Sequence, residues 1–147
     1  MFCVVVIDGM GGGIGAQLVE KIRKEFGNQV EIVALGINSS ATERMMRAGA
    51  DRAATGENAI RVSVNLGDCV LGPIGIVIPN ALMGEVTPDI ARAVFESRGY
   101  KVLIPIVQTH FTLVGVEPKP LGSLISEAVQ ELGKRMGKTR ESSPPST

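Results

Sequence analysis

The chain has 147 residues, 44% of them apolar and 20% charged, which suits one compact domain with a packed core and excludes a disordered or fibrous chain. Fifteen basic residues balance fifteen acidic ones, so no global field holds a polyanion, and four Phe, one Tyr and no Trp offer little surface for stacking bases; nucleic acid is not an expected partner. Two cysteines, no leader pattern and no apolar run of about 18 residues argue against secretion and membrane insertion, and the expectation is a cytoplasmic protein with free thiols.

Phe2 to Ile7 is apolar without polar alternation, as expected of a strand buried on both faces of a parallel sheet. Five glycines follow between Gly9 and Gly15, and then Ile14, Leu18, Val19 and Ile22 recur at helical spacing. Gly27 and Asn28 end that helix, and Val30 to Gly36 makes a second strand, completing a βαβ unit with a right-handed crossover. Ser39 or Ser40 is read as the cap of a short helix running to about Ala48, and Ala50 to Ala54 as a short third strand. Glu57 to Leu66 carries β-branched residues that favour a strand, but parallel third and fourth strands need a crossover between them, so we read it as a helix.

Asp68 to Gly72 is the fourth strand, and Ile74 to Asn80 either extends the sheet or runs as a buried loop. Thr87 caps a helix that has Pro88 at its first position and runs to about Arg98. Lys101 to Val107 is the fifth strand, Thr109 to Val116 a sixth, with an antiparallel direction open to it, and Leu121 to about Met136 a closing helix. Alternating strands and helices predict an α/β fold, a three-layer Rossmann-like open sheet, mostly parallel, with helices on both faces. Residues 1–136 are expected to form that single domain, and 137–147 a disordered tail with too little apolar content to pack.

Ligands of such folds bind beyond the carboxyl ends of the strands, which directs attention to the glycines. A phosphate against the first turn of a helix is stabilised by unpaired N–H groups and the helix dipole, provided no side chain blocks its approach. Gly11, Gly13 and Ala16 fit GxGxxA, whereas Gly9, Gly13 and Gly15 fit the GxxxGxG of short-chain dehydrogenases; either way the loop follows a strand and opens a helix. The bland alternative is a tight turn with close helix-to-sheet packing, for which one or two glycines suffice. Met10, Gly12 and Ile14 complete the loop, and Asp8 before it is a candidate for a ribose hydroxyl, a Mg²⁺ ion or the loop's own N–H groups. Gly72, Pro73 and Ile74 follow the fourth strand, which neighbours the first in a Rossmann order, and would flank the same crevice.

The Asp or Glu that normally ends the second strand and takes the ribose hydroxyls of NAD is missing. Gly36, Asn38, Ser39 and Ser40 stand there instead, with Arg44 a turn later, a set suited either to the 2′-phosphate of NADP or simply to a capped helix with a solvated arginine. NAD(P) or another nucleotide is therefore the expected ligand, with no metal site. The Tyr and Lys pair of short-chain dehydrogenases is absent, because Ile104 stands four residues after Tyr100, the single tyrosine. His110, Asn80 and Glu85 are the remaining candidates for a reaction, against the plainer reading of solvated loop residues. Thr55 and Thr87 are read as helix caps. Cys3 and Cys69, near the starts of neighbouring strands, are expected to be buried with their sulfurs fairly close, and two thiols alone make a poor zinc site. Gly137 to Thr139 imitates the end of a P-loop, but Leu132 stands where its first glycine belongs.

The segments IDGMGGGIG, ALGINSSAT, AGADRAATGENAI and GPIGIVIPNALMGEVTP together resemble a family of short bacterial proteins of unknown function, over Met1 to about Val116. The resemblance implies a dinucleotide-binding Rossmann domain and carries no activity or catalytic residue. Three functions remain open at this point: a stand-alone nucleotide-binding module with a sensing, carrier or partner-supporting role; a small enzyme completed at a subunit interface; and an interaction protein with a vestigial Rossmann core. A homo-oligomer, at its simplest a homodimer, is expected under each.

Overall fold

The computed structural model describes residues 1–106 and 111–142. Among the described residues five strands form one parallel sheet: β1 (Phe2–Asp8), β2 (Val30–Gly36), β3 (Arg52–Thr55), β4 (Cys69–Pro73) and β5 (Tyr100–Ile104), in the order β3-β2-β1-β4-β5. The crossovers are α1 (Gly13–Phe26), α2 (Ser39–Arg47), α3 (Glu57–Ser63) and α4 (Pro88–Glu96), and α5 (Leu121–Ser142) closes the chain. The expected α/β architecture is therefore present. Growth of the sheet reverses direction at β1, whose neighbours are β2 and β4.

The burial of β1 on both sides follows from its continuous apolar run. Val4 and Val6 pack with Leu18, Val19 and Ile22 of α1, Met45 of α2 and Leu132 of α5, while Cys3, Val5 and Ile7 pack with Ile60 of α3 and Ile90 and Val94 of α4. The alternation has a consequence for the cysteines. Cys69 is in register with Val4 rather than Cys3, and successive residues of a strand face opposite ways. The two buried sulfurs thus belong to opposite cores, which corrects the expectation that they lie close together.

Two aspartates secure the amino ends of the strands. Asp51 Oδ2 accepts from Ile32 N–H at 2.8 Å and from Arg23 Nη2 at 2.7 Å, and Asp68 Oδ2 accepts from Cys3 N–H at 2.8 Å. Each supplies an acceptor where a neighbouring strand begins without one.

Several boundaries differ from the sequence expectation. β3 begins at Arg52, two residues late, and α3 ends at Ser63 before a 3-10 turn that reaches Leu66. Ile74–Val77 is a 3-10 turn and not a sixth element of the sheet, with Gly75 and Ile76 buried as the loop reading required. Asn38 caps α2, not Ser39 or Ser40; its Oδ1 accepts from Ala41 N–H at 2.8 Å, and both serines are exposed in the first turn. Residues 111–116 form no strand, and among the described residues β5 ends the sheet; Val107, Gln108, Thr109 and His110 lie outside the described residues. Valines of that segment face solvent: Val114 is fully exposed and Val116 about half exposed. α5 continues to Ser142, past the expected end at Met136. Among the described residues no helix is long and apolar enough to cross a membrane.

Candidate functional site

β1 ends in Asp8, and the next four residues carry the chain across the carboxyl edge of the sheet into α1. Asp8 is only 5% exposed. Its Oδ1 accepts from Gly9 N–H at 2.8 Å and its Oδ2 from Gly15 N–H at 2.7 Å. Of the three roles open to it, this geometry selects the third: Asp8 holds the loop and the first turn of α1 from within. Burial pushes its carboxyl above the ordinary range, bonds from the N–H groups of Gly15, Gly9 and Ile14 pull it down, and the charge of Glu85 adds to the rise. Among the described residues there is no group of three or more His, Cys, Asp or Glu able to hold a metal ion.

The glycines divide into two kinds. A Cβ on Gly12, whose φ is +75°, would stand 2.7 Å from Ala41 Cα, and one on Gly15 would stand 2.6 Å from Met45 Sδ and 2.8 Å from Asp8 Cβ. Gly12 and Gly15 are thus required for α2 to approach the loop. Gly9 is covered as well: its Cβ would lie 2.7 Å from Glu85 Oε1 and 3.2 Å from Leu82. Packing therefore accounts for more of the glycines than the one or two that a tight turn requires. A Cβ on Gly11 would meet nothing within 4 Å, and one on Gly13 would lie 3.5 Å from Arg44 Nη1. Gly12 N–H is bonded to Gly9 O at 2.9 Å, whereas the N–H groups of Gly11 and Gly13 have no protein acceptor among the described residues. These two amides and the Arg44 guanidinium, whose Nη1 donates to Gly11 O at 3.4 Å, are the groups left to meet an anion.

The loop from Ile78 to Val86 folds over this edge. Asn80, Leu82 and Met83 have φ of 65°, 55° and 55°, the left-handed region that non-glycine residues rarely enter, and Met10 in the facing loop has φ 51°. Strain of this kind persists only where surrounding structure enforces it. Here Asn80 N–H bonds to Val86 O at 2.7 Å, and the Glu85 carboxylate spans the gap to the other loops. One of its oxygens accepts from Met10 N–H and the other from Asn38 Nδ2 at 2.6 Å, while the same Nδ2 also donates to Met10 O at 2.9 Å. An acid therefore does stand beside the end of β2. It comes from the loop after β4, which is why a search of the residues following β2 does not find it.

The other expected residues distribute unevenly. Gly36 is in register with Asp8 and gives room to Thr42 at the start of α2. Gly72 and Pro73 are buried and Ile74 half-buried; Gly72 allows close approach to Ile7, so this second glycine cluster lines β1 more than an open crevice. Ser39 is exposed, and its hydroxyl makes no hydrogen bond among the described residues. Thr55 does not cap α3: its hydroxyl pairs with that of Thr42 at 2.7 Å, and Gly56 takes the cap position. Thr87 caps α4 as expected, its Oγ1 accepting from Ile90 N–H at 3.1 Å while donating to Glu57. Asn80 is exposed and stands out for its backbone alone.

Residues 3–137 match the family described as "Domain of unknown function (DUF3842)", and the chain belongs to that family. No curated protein matches it in sequence. Among solved structures it is similar to a dodecameric FMN-dependent Ubix-like decarboxylase from Escherichia coli O157:H7, with TM-score 0.52 and 16% identity over 93% of this chain and 95% of that one. A universal stress protein in complex with cAMP also matches, with TM-score 0.39 and 19% identity over 70% of this chain and 96% of that one. At these identities the decarboxylase likeness shows the α/β fold alone.

Proposed function

We propose that this member of the family is a stand-alone nucleotide-binding module of the NAD(P) class, which senses or carries its ligand or serves a partner enzyme. The observation that carries the reading is the pair of amides at Gly11 and Gly13, which have no protein acceptor among the described residues and stand at the head of α1 beside Arg44 and the junction of β1 with β4. Amide donors, the positive end of a 14-residue helix and a guanidinium together suit a phosphate or pyrophosphate group. The site would comprise Met10, Gly11, Gly13 and Ile14 from the first loop and Asn38 from the second, with Asp8, Gly9, Gly12 and Gly15 holding its shape. The nucleotide relatedness of the structural neighbours, one FMN-dependent and one seen with cAMP, is in keeping with this reading without adding weight to it.

Self-association belongs to the same proposal. Among the described residues no strand pairs with the outer edge of β5, and Leu113, Val114 and Val116 are exposed in the segment that follows it. The decisive experiment is calorimetric and thermal-shift titration of the purified protein with NAD(H), NADP(H), ATP and coenzyme A, alongside native mass spectrometry. Saturable binding or a co-purified nucleotide supports the module; neither, across the whole panel, overturns it.

A further inference from the structure

The Glu85 carboxylate is oriented more firmly than a loop residue needs to be. Met10 N–H and Asn38 Nδ2 each engage a different oxygen, Gly9 leaves room for Oε1, and three left-handed residues in the preceding loop fix the approach of the chain. An ionised carboxylate accepts about four hydrogen bonds, and two are in use here, so each oxygen keeps capacity for one more donor. Glu85 is half-buried, not sealed, which leaves that capacity reachable. Two oxygens of one fixed carboxylate, each with a site to fill, match a pair of adjacent hydroxyls.

Position strengthens the match. The carboxylate lies between the first loop, through Met10, and the residue after β2, through Asn38, where the ribose of a nucleotide lies in Rossmann folds whose pyrophosphate rests on the glycine loop. We propose that Glu85 is the acceptor for the vicinal hydroxyls of a ribose and selects an unphosphorylated ribose over one carrying a 2′-phosphate. This rests on the nucleotide reading and makes it specific. A 2′-phosphate would set its negative charge against Glu85 while removing one of the two hydroxyl donors. Arg44 does not offset this repulsion, because its guanidinium is turned to Gly11 and Gly13.

Calorimetric titration of the wild type, Glu85→Gln and Glu85→Asp with NAD⁺ and NADP⁺ tests the proposal, with thermal melts of the ligand-free proteins to establish that each variant is folded. The wild type should bind NAD⁺ at least about 10-fold more tightly than NADP⁺, the scale of losing a charge-assisted hydrogen bond. Glu85→Gln should weaken NAD⁺ by about 10-fold or more and bring the two affinities together. Glu85→Asp retains the charge and should keep the preference for NAD⁺ even as both bind less well. Equal or tighter NADP⁺ binding by the wild type overturns the selection by Glu85 and leaves the nucleotide module standing. So does a folded Glu85→Gln that loses both ligands equally. A wild type that binds neither these nor any nucleotide of the wider panel overturns the module, and this assignment with it.

Discussion

Glu85 and Asn38, 47 residues apart in the chain, are joined by a 2.6 Å hydrogen bond that closes the loop after β4 onto the end of β2. Asn38 has two polar ends and uses both: Oδ1 caps α2, while Nδ2 holds Glu85 and Met10 O. The cap that starts α2 and the contact that positions the acid are therefore one side chain. A change at Asn38 disturbs helix and site together.

The two kinds of glycine should separate in mutants. Gly12→Ala forces a Cβ against Ala41 backbone at positive φ and should cost about 1–3 kcal/mol of stability. Gly11→Ala meets nothing within 4 Å and should stay within about 0.5 kcal/mol of the wild type. Urea unfolding measures both. Equal effects would contradict the division between packing glycines and open ones. Under the proposed function, Gly13→Val and Arg44→Ala should fold and yet lose at least about 10-fold in nucleotide affinity.

The buried and exposed aspartates should respond to pH with opposite sign. Burial raises the Asp8 carboxyl from 3.8, so the folded state holds its proton better than the unfolded chain, and its contribution falls as pH rises from 3.8 to the folded value. For Asp51, partial burial acts upward, but the Ile32 N–H and Arg23 together outweigh it and lower the carboxyl below 3.8. Its contribution is present above 3.8 and is lost as pH falls through the lower folded value. Carboxyl NMR titration should show Asp8 above and Asp51 below the ordinary range, and the destabilisation of Asp51→Asn, clear at neutral pH, should shrink in acid. A penalty for Asp51→Asn that is independent of pH would contradict the ion-pair account.

Burial pushes the Cys3 and Cys69 thiols from 9.0 up to about 11. Between those values the unfolded chain loses thiol protons that the folded chain keeps, so stability should fall as pH rises from 9 to about 11. Both thiols should also label slowly with iodoacetamide near neutral pH until denaturant is added. Because the sulfurs face opposite cores, mild oxidation should produce no intramolecular disulfide, which mass measurement would detect.

Thr87→Ala removes the oxygen that accepts from Ile90 N–H and also strips Glu57 of its hydroxyl partner. The expected cost is about 1–2 kcal/mol. Thr87→Ser keeps both bonds and should recover most of it. A serine variant as weak as the alanine one would place the effect in the lost methyl group instead.

Much of the fold was legible because its signals are local. The unbroken apolar run of β1, the helical spacing of Leu18, Val19 and Ile22, and Thr87 followed by Pro88 each act within a few residues of chain. The crossover argument also resolved Glu57 to Leu66 correctly in favour of a helix, against its β-branched composition. Residues 111–116 form no strand although they include Val and Thr, because these residues fit a pleated surface only when a sheet is there to receive them. Sequence alone does not separate Asn38 from Ser39 and Ser40 as the cap of α2, since Asn and Ser both suit that position and backbone geometry decides.

By itself the sequence determined the five strands of the sheet, though not that residues 111–116 lie outside it, and the place where a glycine loop meets a helix, because periodicity and turn chemistry depend on near neighbours. Tertiary structure decided what the glycines are for and where the acid comes from. Gly12 and Gly15 are small because α2 presses on them, Asp8 turns inward onto its own loop, and Glu85 arrives at the end of β2 from the far side of the β1–β4 junction. Those relations depend on which surfaces the packed sheet brings within hydrogen-bond reach, a distance that separation along the chain does not encode.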